Sequence, residues 1–316
     1  VQNKCTPRCS TWAPQAGQFH SEWLLHRLEA GFALAANPYR PKQLVRVPLE
    51  RGLTDCMVFW TKNPGPLASR LDLLDRFGIP YYFQFTLTPY GPALEPRLPD
   101  KRTLIRCFRQ MAEQIGPGRM VWRYDPILLG DGLTVEEHLP LFRKMAVQLK
   151  GATRRCVISF LDLYPRMTAR MGTVYRPPTE QECRQLAAGL GEIGGELALE
   201  IVSCCEKMDL SLWGIRHGAC IDSVVISDIL GEPLKIPHHT GQRPDCGCVQ
   251  SVDIGSYDCC THGCLYCYGT TSARAAAKRM AACDPLSPML GGWPPEDGEI
   301  LEKNWPVFST GQMKLF

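Results

Sequence analysis

Between residues 56 and 203 the chain alternates short apolar runs with helix-length segments that carry their own start and stop signals, and this alternation limits the folds open to it. The runs 56–60, 81–87, 119–124, 155–160 and 197–203 are too short and too continuously apolar for amphipathic helices, and they read as buried strands. The segments between them read as helices. Leu67–Phe77 has helical spacing and ends at Gly78, and Lys101–Ile115 is opened by Asp100 and closed by Gly116. Thr134-Val-Glu-Glu137 and Thr179-Glu-Gln-Glu182 are capping boxes, opening helices that run to Lys150 and to about Leu190. Strands joined through helices lie parallel, with right-handed crossovers. Val249–Ile254 reads as a sixth strand. The expected fold is α/β, a partial TIM-like barrel of six βα units over residues 19–283.

Outside this pattern, Phe19–Ala30 reads as a helix stopped by Gly31, 31–54 as mostly loop, and Thr271–Ala282 as an Ala-rich helix. Residues 206–248 give weak signals, with a short helix near 208–213 and a strand or helix at 223–230. Residues 1–18 read as an irregular N-terminal segment, and 284–316, with five prolines, as an irregular tail packed on the barrel. At 316 residues and 45% hydrophobic, the composition is that of a globular protein. A net charge of +3 is too small to point to nucleic acid. No apolar run approaches the roughly 20 residues of a membrane helix. The first residues, Val1-Gln-Asn-Lys-Cys5, lack the apolar core of a signal peptide, so a cytoplasmic location with no membrane contact is expected.

Sixteen cysteines in such a chain point to metal or redox chemistry more than to disulfides. Cys56, Cys107, Cys156 and Cys183 lie in apolar or helical settings and read as small hydrophobes. Cys260, Cys264 and Cys267 share one short loop, 255–268, at C-x3-C-x2-C spacing, so their thiolates can converge on one centre. Three thiolates suit an iron–sulfur cube with one iron left open, whereas zinc needs a fourth ligand, which Cys259 or His262 could supply. Cys246-Gly-Cys248 is too close-spaced for an internal disulfide. With Cys205 and Cys220 it would make a four-thiolate site for a second [4Fe–4S] cluster or a zinc, Cys204 being able to replace Cys205. Cys5 and Cys9 repeat the C-x3-C spacing without a third cysteine nearby, and His238-His239 is read as a loop or substrate pair.

Active sites of parallel βα barrels lie at the C-terminal ends of the strands. Polar groups stand at each such end: Thr61, Lys62 and Asn63; Thr86 and Thr88; Arg123 and Asp125; Ser159 and Asp162; Ser203 to Glu206; and Asp253. Arg123 and Asp125, two apart on a strand, point the same way. A charged pair there needs mutual or ligand pairing to offset desolvation, so Arg123 could hold a carboxylate and Asp125 a ribose or amine. Lys62 could bind an anionic group.

The cysteine loop, with Tyr266 before its third cysteine, resembles the cluster loop of radical S-adenosylmethionine (SAM) enzymes. A further resemblance is to a bacterial domain-of-unknown-function family with this loop at its C-terminal end. It runs from Ser21-Glu-Trp23 to Lys314-Leu-Phe316 and includes Phe59-Trp-Thr-Lys-Asn-Pro64, the stretch from Tyr82 to Tyr90, Trp122-Arg-Tyr-Asp-Pro126 and Cys246-Gly-Cys248. Where that family carries a Ser-Arg-Arg-Thr-Asp-like stretch, this chain reads Ser10-Thr-Trp-Ala-Pro-Gln15. Arg123-Tyr-Asp125-Pro126 is similar to a stretch of spore photoproduct lyase-like proteins.

The resemblance implies a circularly permuted barrel with the cluster-bearing strand last, and a [4Fe–4S] cluster on Cys260, Cys264 and Cys267 whose fourth iron binds SAM. It implies reductive cleavage of SAM to a 5′-deoxyadenosyl radical for hydrogen abstraction. Arg123, Asp125 and Lys62 are the expected catalytic residues, and Thr61, Asn63, Thr86, Ser159 and Tyr266 the expected cofactor-binding residues. The expected partners are a small-molecule or peptide substrate and an electron donor such as flavodoxin or ferredoxin. The alternatives are a nucleic-acid lyase or repair enzyme of the same chemistry, and a non-catalytic iron–sulfur or zinc-stabilised binding protein.

Overall fold

The computed structural model describes residues 20–37, 39–239 and 241–310. The expectations for residues 1–18, with Cys5 and Cys9, and for the terminal Lys314-Leu-Phe316 lie outside them. In chain order the elements are α1 (Ser21–Ala30), β1 (Phe32–Asn37), β2 (Arg40–Pro48), β3 (Met57–Thr61), α2 (Gly65–Ala68), α3 (Leu71–Arg76), β4 (Tyr81–Thr86), α4 (Lys101–Ile115), β5 (Met120–Ile127), β6 (Leu129–Gly130), α5 (Val135–Leu149), β7 (Arg155–Phe160), α6 (Pro165–Met171), β8 (Tyr175–Arg176), α7 (Glu180–Leu197), β9 (Glu200–Cys204), β10 (Arg216–Gly218), α8 (Ser223–Leu230), α9 (Ala273–Ala281) and β11 (Glu299–Leu301).

Six of these strands form one parallel sheet in the order β10-β9-β7-β5-β4-β3. Each strand lies beside its predecessor in the chain, apart from the small β6–β8 excursion. β3 and β10 are the two edges, so the sheet is mixed α/β architecture without a closed barrel. Side chains alternate faces along each strand. Phe59, Phe83, Trp122, Ile158 and Ile201 join the larger core, which also takes in Phe108, Phe142 and Leu190 from α4, α5 and α7. Val58, Tyr82, Val121, Val157 and Val202 face the other way, into a core shared with Cys204, Ile221, Cys246, Cys248 and Val249. The capping boxes at Thr134 and Thr179 form as expected, and Asp100 caps α4 by accepting from Thr103 N–H.

Several expectations are corrected. Segment 249–254 adds no strand to the six-stranded sheet: it holds isolated bridge residues, Val249, paired antiparallel with His238, and Val252 and Asp253. Its side chains take up backbone groups instead, as Ser251 Oγ donates to the Val249 carbonyl and Asp253 accepts Gly255 N–H at 2.6 Å. The sixth strand is β10, whose Arg-His-Gly sequence carries no apolar signal. Gly218 fits there because a Cβ would stand 2.7 Å from Val202. The expected permuted order, with a cluster-bearing strand last in the sheet, is therefore not seen among the described residues. Residues 31–54 hold an antiparallel hairpin, β1–β2, which β11 extends from the tail. Leu67–Phe77 divides into α2 and α3, and α7 runs on to Leu197 through four glycines. At Gly191 a Cβ would come within 2.0 Å of the Trp213 carbonyl, so glycine there permits close packing rather than ending the helix.

Trp122 is fully buried, stacks on Phe142 at 4.8 Å and donates its indole N–H to the Leu87 carbonyl at 2.8 Å. Trp122→Ala removes that packing and leaves a cavity, and urea unfolding should show a loss of about 3–5 kcal/mol.

Candidate metal centre

The polar residues at the strand ends share the sheet face that carries Val58 and Tyr82. Thr86 lies two and four residues beyond Gln84 and Tyr82, Arg123 and Asp125 follow Val121, Ser159 follows Val157, and Cys204 follows Val202. All of Thr61, Lys62, Thr86, Arg123, Asp125 and Ser159 line one cavity of about 1450 Å³, and so do Cys204, Cys205, Cys220, Asp253, His262 and Tyr266. Cys260, Cys264 and Cys267 line it as well, from the opposite side of the chain order. Asn63 is absent from that lining: its side chain accepts Gly65 N–H and its own N–H donates to Thr61 Oγ1.

The cysteine loop is closed on itself. Asp258 N–H donates to the Gly269 carbonyl at 2.9 Å, and the Asp258 carboxylate accepts from Thr271. Gly263 sits at φ +73°, a left-handed conformation that glycine adopts without a Cβ penalty. Arg97 and Arg170 donate to the carbonyls of Thr261 and Cys267. Burial pushes the Cys260 and Cys264 thiols up to about 12, against the pull of Lys62. The His262 N–H donates to Cys260, a contact that suits sulfur ligands carrying negative charge. The His262 ring is kept neutral by burial, its pKa pushed down to about 4.

Lys62 does not stand alone. Its ammonium meets Glu95 at 2.8 Å, and Glu95 also accepts from Thr88 at 2.8 Å, from Lys101 and from the Tyr266 hydroxyl. Burial alone would raise the Glu95 carboxyl, but Lys62 and Lys101 outweigh it and hold it at about 2. Tyr266 is thereby fixed, edge-on to Tyr90 with centroids 5.6 Å apart. Sequence reading missed Glu95. Its one signal was a carboxylate inside the Gly-Pro-rich loop that follows β4, beyond the two or three positions normally inspected at a strand end.

The second set of cysteines also assembles. The thiols of Cys204, Cys220 and Cys248 hydrogen-bond one another, and Cys246 reaches both Cys248 and Cys205. Cys204, the substitute for Cys205, is thus at the centre and Cys205 at the margin. The sheet holds Cys220 directly: Tyr82 and Gln84 donate to its carbonyl at 3.0 and 2.7 Å, and Arg123 Nη1 donates to its Sγ at 2.9 Å. Hydrogen bonds from Cys204 and Cys248, with Arg123 nearby, hold the Cys220 thiol well below its usual range. The other side of the Arg123 guanidinium pairs with Asp125, which also accepts from Ser159. Among the described residues, His20, Cys259 and Cys283 are a group of potential ligands whose atoms all lie within 4.8 Å of one another, a spacing that neither of the two cysteine sets meets.

A family model for the Domain of unknown function DUF1848 matches residues 14–269, most of the chain. The chain belongs to this family. No curated protein shows significant sequence similarity to it. Among solved structures, a Bacteroides thetaiotaomicron protein provisionally assigned as an alpha-L-fucosidase aligns at 10% identity and a TM-score of 0.28, over 66% of this chain and 78% of that one. No helix among the described residues is long and apolar enough to cross a membrane.

The Glu95 network predicts a pH dependence. A carboxyl depressed from 4.5 to about 2 contributes stability in full above its ordinary value and loses it as pH falls toward 2. Glu95→Gln should cost about 3 kcal/mol at pH 7, because Lys62 and Lys101 lose their buried counter-charge, and should flatten the fall in stability below pH 4.5. Urea unfolding at pH 7 and pH 3 checks both.

Proposed function

We propose that this protein is a radical SAM enzyme whose cavity admits SAM together with a small molecule or peptide. The observation that carries the reading is the placement of three thiols from one short loop on the wall of a large, mainly apolar cavity that also holds Lys62, Arg123 and Asp125, while Cys259 is absent from that wall. Cys259 lies in the hydrophobic core and bonds to Cys283, so of the two candidate fourth ligands it is withdrawn, while His262 lines the cavity with Cys260, Cys264 and Cys267, and metal content separates zinc closed by His262 from the cluster. Three thiolates with an open position suit a cubane cluster better than a structural zinc. The sequential order of the six parallel strands fits a partial (βα)6 barrel, with the cysteine loop arriving at the strand ends from the end of the chain rather than from a first strand.

A reduced [4Fe–4S] cluster held by these cysteines would supply the one electron for reductive cleavage of the SAM C5′–S bond, with methionine as the leaving group and hydrogen-atom abstraction from the substrate as the outcome. The residues supply binding and orientation. Cys260, Cys264 and Cys267 are the ligands. Lys62, locked by Glu95, places a fixed positive charge beside Cys264. Asp125, already oriented by Arg123 and Ser159, presents its carboxylate to the cavity for a hydroxyl or amine. Thr61, Thr86 and Tyr266 border the same space. A cavity of about 1450 Å³ exceeds the roughly 300–1,000 Å³ usual for one ligand, which leaves room for a second molecule. The electron comes from an external donor such as flavodoxin or ferredoxin. We read Cys204, Cys220, Cys246 and Cys248, with Cys205 at their edge, as an auxiliary site for a second cluster or a zinc.

Protein purified without oxygen should contain about four irons per chain from the loop, or about eight if the auxiliary site also holds a cubane. On reduction it should convert SAM to 5′-deoxyadenosine, and Cys260→Ala, Cys264→Ala or Cys267→Ala should each abolish that product. Zinc without iron, or undiminished turnover in any of the three variants, would overturn the proposal.

A further inference from the structure

We infer that His20, Cys259 and Cys283 form a separate mononuclear zinc site, which ties the start of α1 and the end of α9 to the base of the cysteine loop. The three residues come from distant parts of the chain, yet their ligand atoms lie within 4.8 Å of one another. Two thiolates and one imidazole, with water in the fourth position, are the donor set of an open zinc site rather than of a closed four-ligand structural one. The pair of thiolates would neutralise the dication itself, and the nearby Arg279 guanidinium favours their ionised form.

The surroundings fit that use. His20 Nε2 lies 3.0 Å from the Cys259 carbonyl. A carbonyl only accepts, so Nε2 carries the proton in that bond, and a metal on His20 would be held through Nδ1, as a backbone carbonyl fixes a metal-binding histidine. Burial keeps that imidazole neutral. The Gly291 N–H donates to Cys283, and Ser256 bonds to Cys259. Gly291 has φ +92°, and a Cβ there would stand 3.0 Å from Cys259 Sγ and 3.1 Å from Ser256 Oγ, so the chain closes over the sulfurs with no room for a side chain. Helix α1 is fastened to the segment beyond Cys283 by three further bonds: Trp23 to the Ser287 carbonyl, His26 to that of Pro285 and Arg27 to that of Leu286. His20 and Cys259 are buried and Cys283 is partly exposed, so the fourth tetrahedral position falls to a water on the Cys283 side. The site shares no ligand with Cys260, Cys264 and Cys267, and it stands whether or not the iron reading does.

The test uses the full chain carrying Cys260→Ala, Cys264→Ala and Cys267→Ala, so that the loop binds no metal. Zinc content is measured after dialysis, with and without Cys283→Ser or His20→Gln. Each added change should remove about one zinc per chain relative to its parent, whatever the auxiliary cysteines hold. Cobalt substitution of the wild-type protein gives an independent readout: the visible bands of tetrahedral thiolate-bound cobalt should weaken in Cys283→Ser, with circular dichroism unchanged. Zinc stoichiometry unaffected by both changes, or a Cys259–Cys283 disulfide found by mass spectrometry in anaerobically prepared protein, would overturn the inference.

Discussion

The arrangement of the cavity depends on one buried carboxylate. Glu95 receives Lys62 from the end of β3, Thr88 from beyond β4, Lys101 from the first turn of α4 and Tyr266 from the cysteine loop. Its side chain is about 1% exposed, so it has no water to replace a lost partner. Leu265 N–H donates to the Leu94 carbonyl, adding a backbone tie at the same point. A loop far along the chain is in this way fixed against the first two strands of the sheet, and its cysteines are presented to the strand ends. A buried ion pair of this kind adds little net stability compared with an apolar substitute, but it is costly to break in half. Its consequence here is positional.

The same strand periodicity that builds the core divides the chemistry. One face of the sheet packs large aromatics against α4, α5 and α7. The other carries Val58, Tyr82, Val121, Val157 and Val202 low on the strands, then Gln84, Arg123, Ser159 and Cys204 toward the C-terminal ends. Arg123 links two parts of this face, with Asp125 on one side and Cys220 on the other. A group bound to the auxiliary cysteines would therefore be felt at Asp125 through a single guanidinium. Burial alone does not separate the cysteines, since Cys246, Cys248 and Cys259 are as buried as Cys56 and Cys156; what separates them is that Cys56, Cys156 and Cys183 have apolar neighbours, while Cys204, Cys220, Cys246 and Cys248 lie against one another.

Much of this was legible in the sequence. β3, β4, β5 and β7 were readable because both their faces are buried, which makes their apolar runs nearly continuous, and α4, α5 and α7 because their caps are explicit. β10 was not, since three residues with one glycine carry no strand signal and the strand exists through its pairing with β9. The β1–β2 hairpin was hidden by alanines and by prolines at its ends. Segment 249–254 looked like a strand because its apolar residues alternate, but its Ser and Asp side chains bond the local backbone instead. All three of Cys260, Cys264 and Cys267 line the cavity, and that they would stand together was readable from their spacing in one short loop. Glu95, Cys283 and His20 were not, because each acquires its partners only when segments well separated in the chain are folded together.

The most direct test of the central claim is electron paramagnetic resonance of the reduced, anaerobically purified protein with and without SAM. If three loop cysteines hold a cluster with one open iron, a reduced [4Fe–4S] signal should be present and SAM should change its g values and line shape. An iron-free protein, or a cluster signal identical in the presence of saturating SAM, would contradict it.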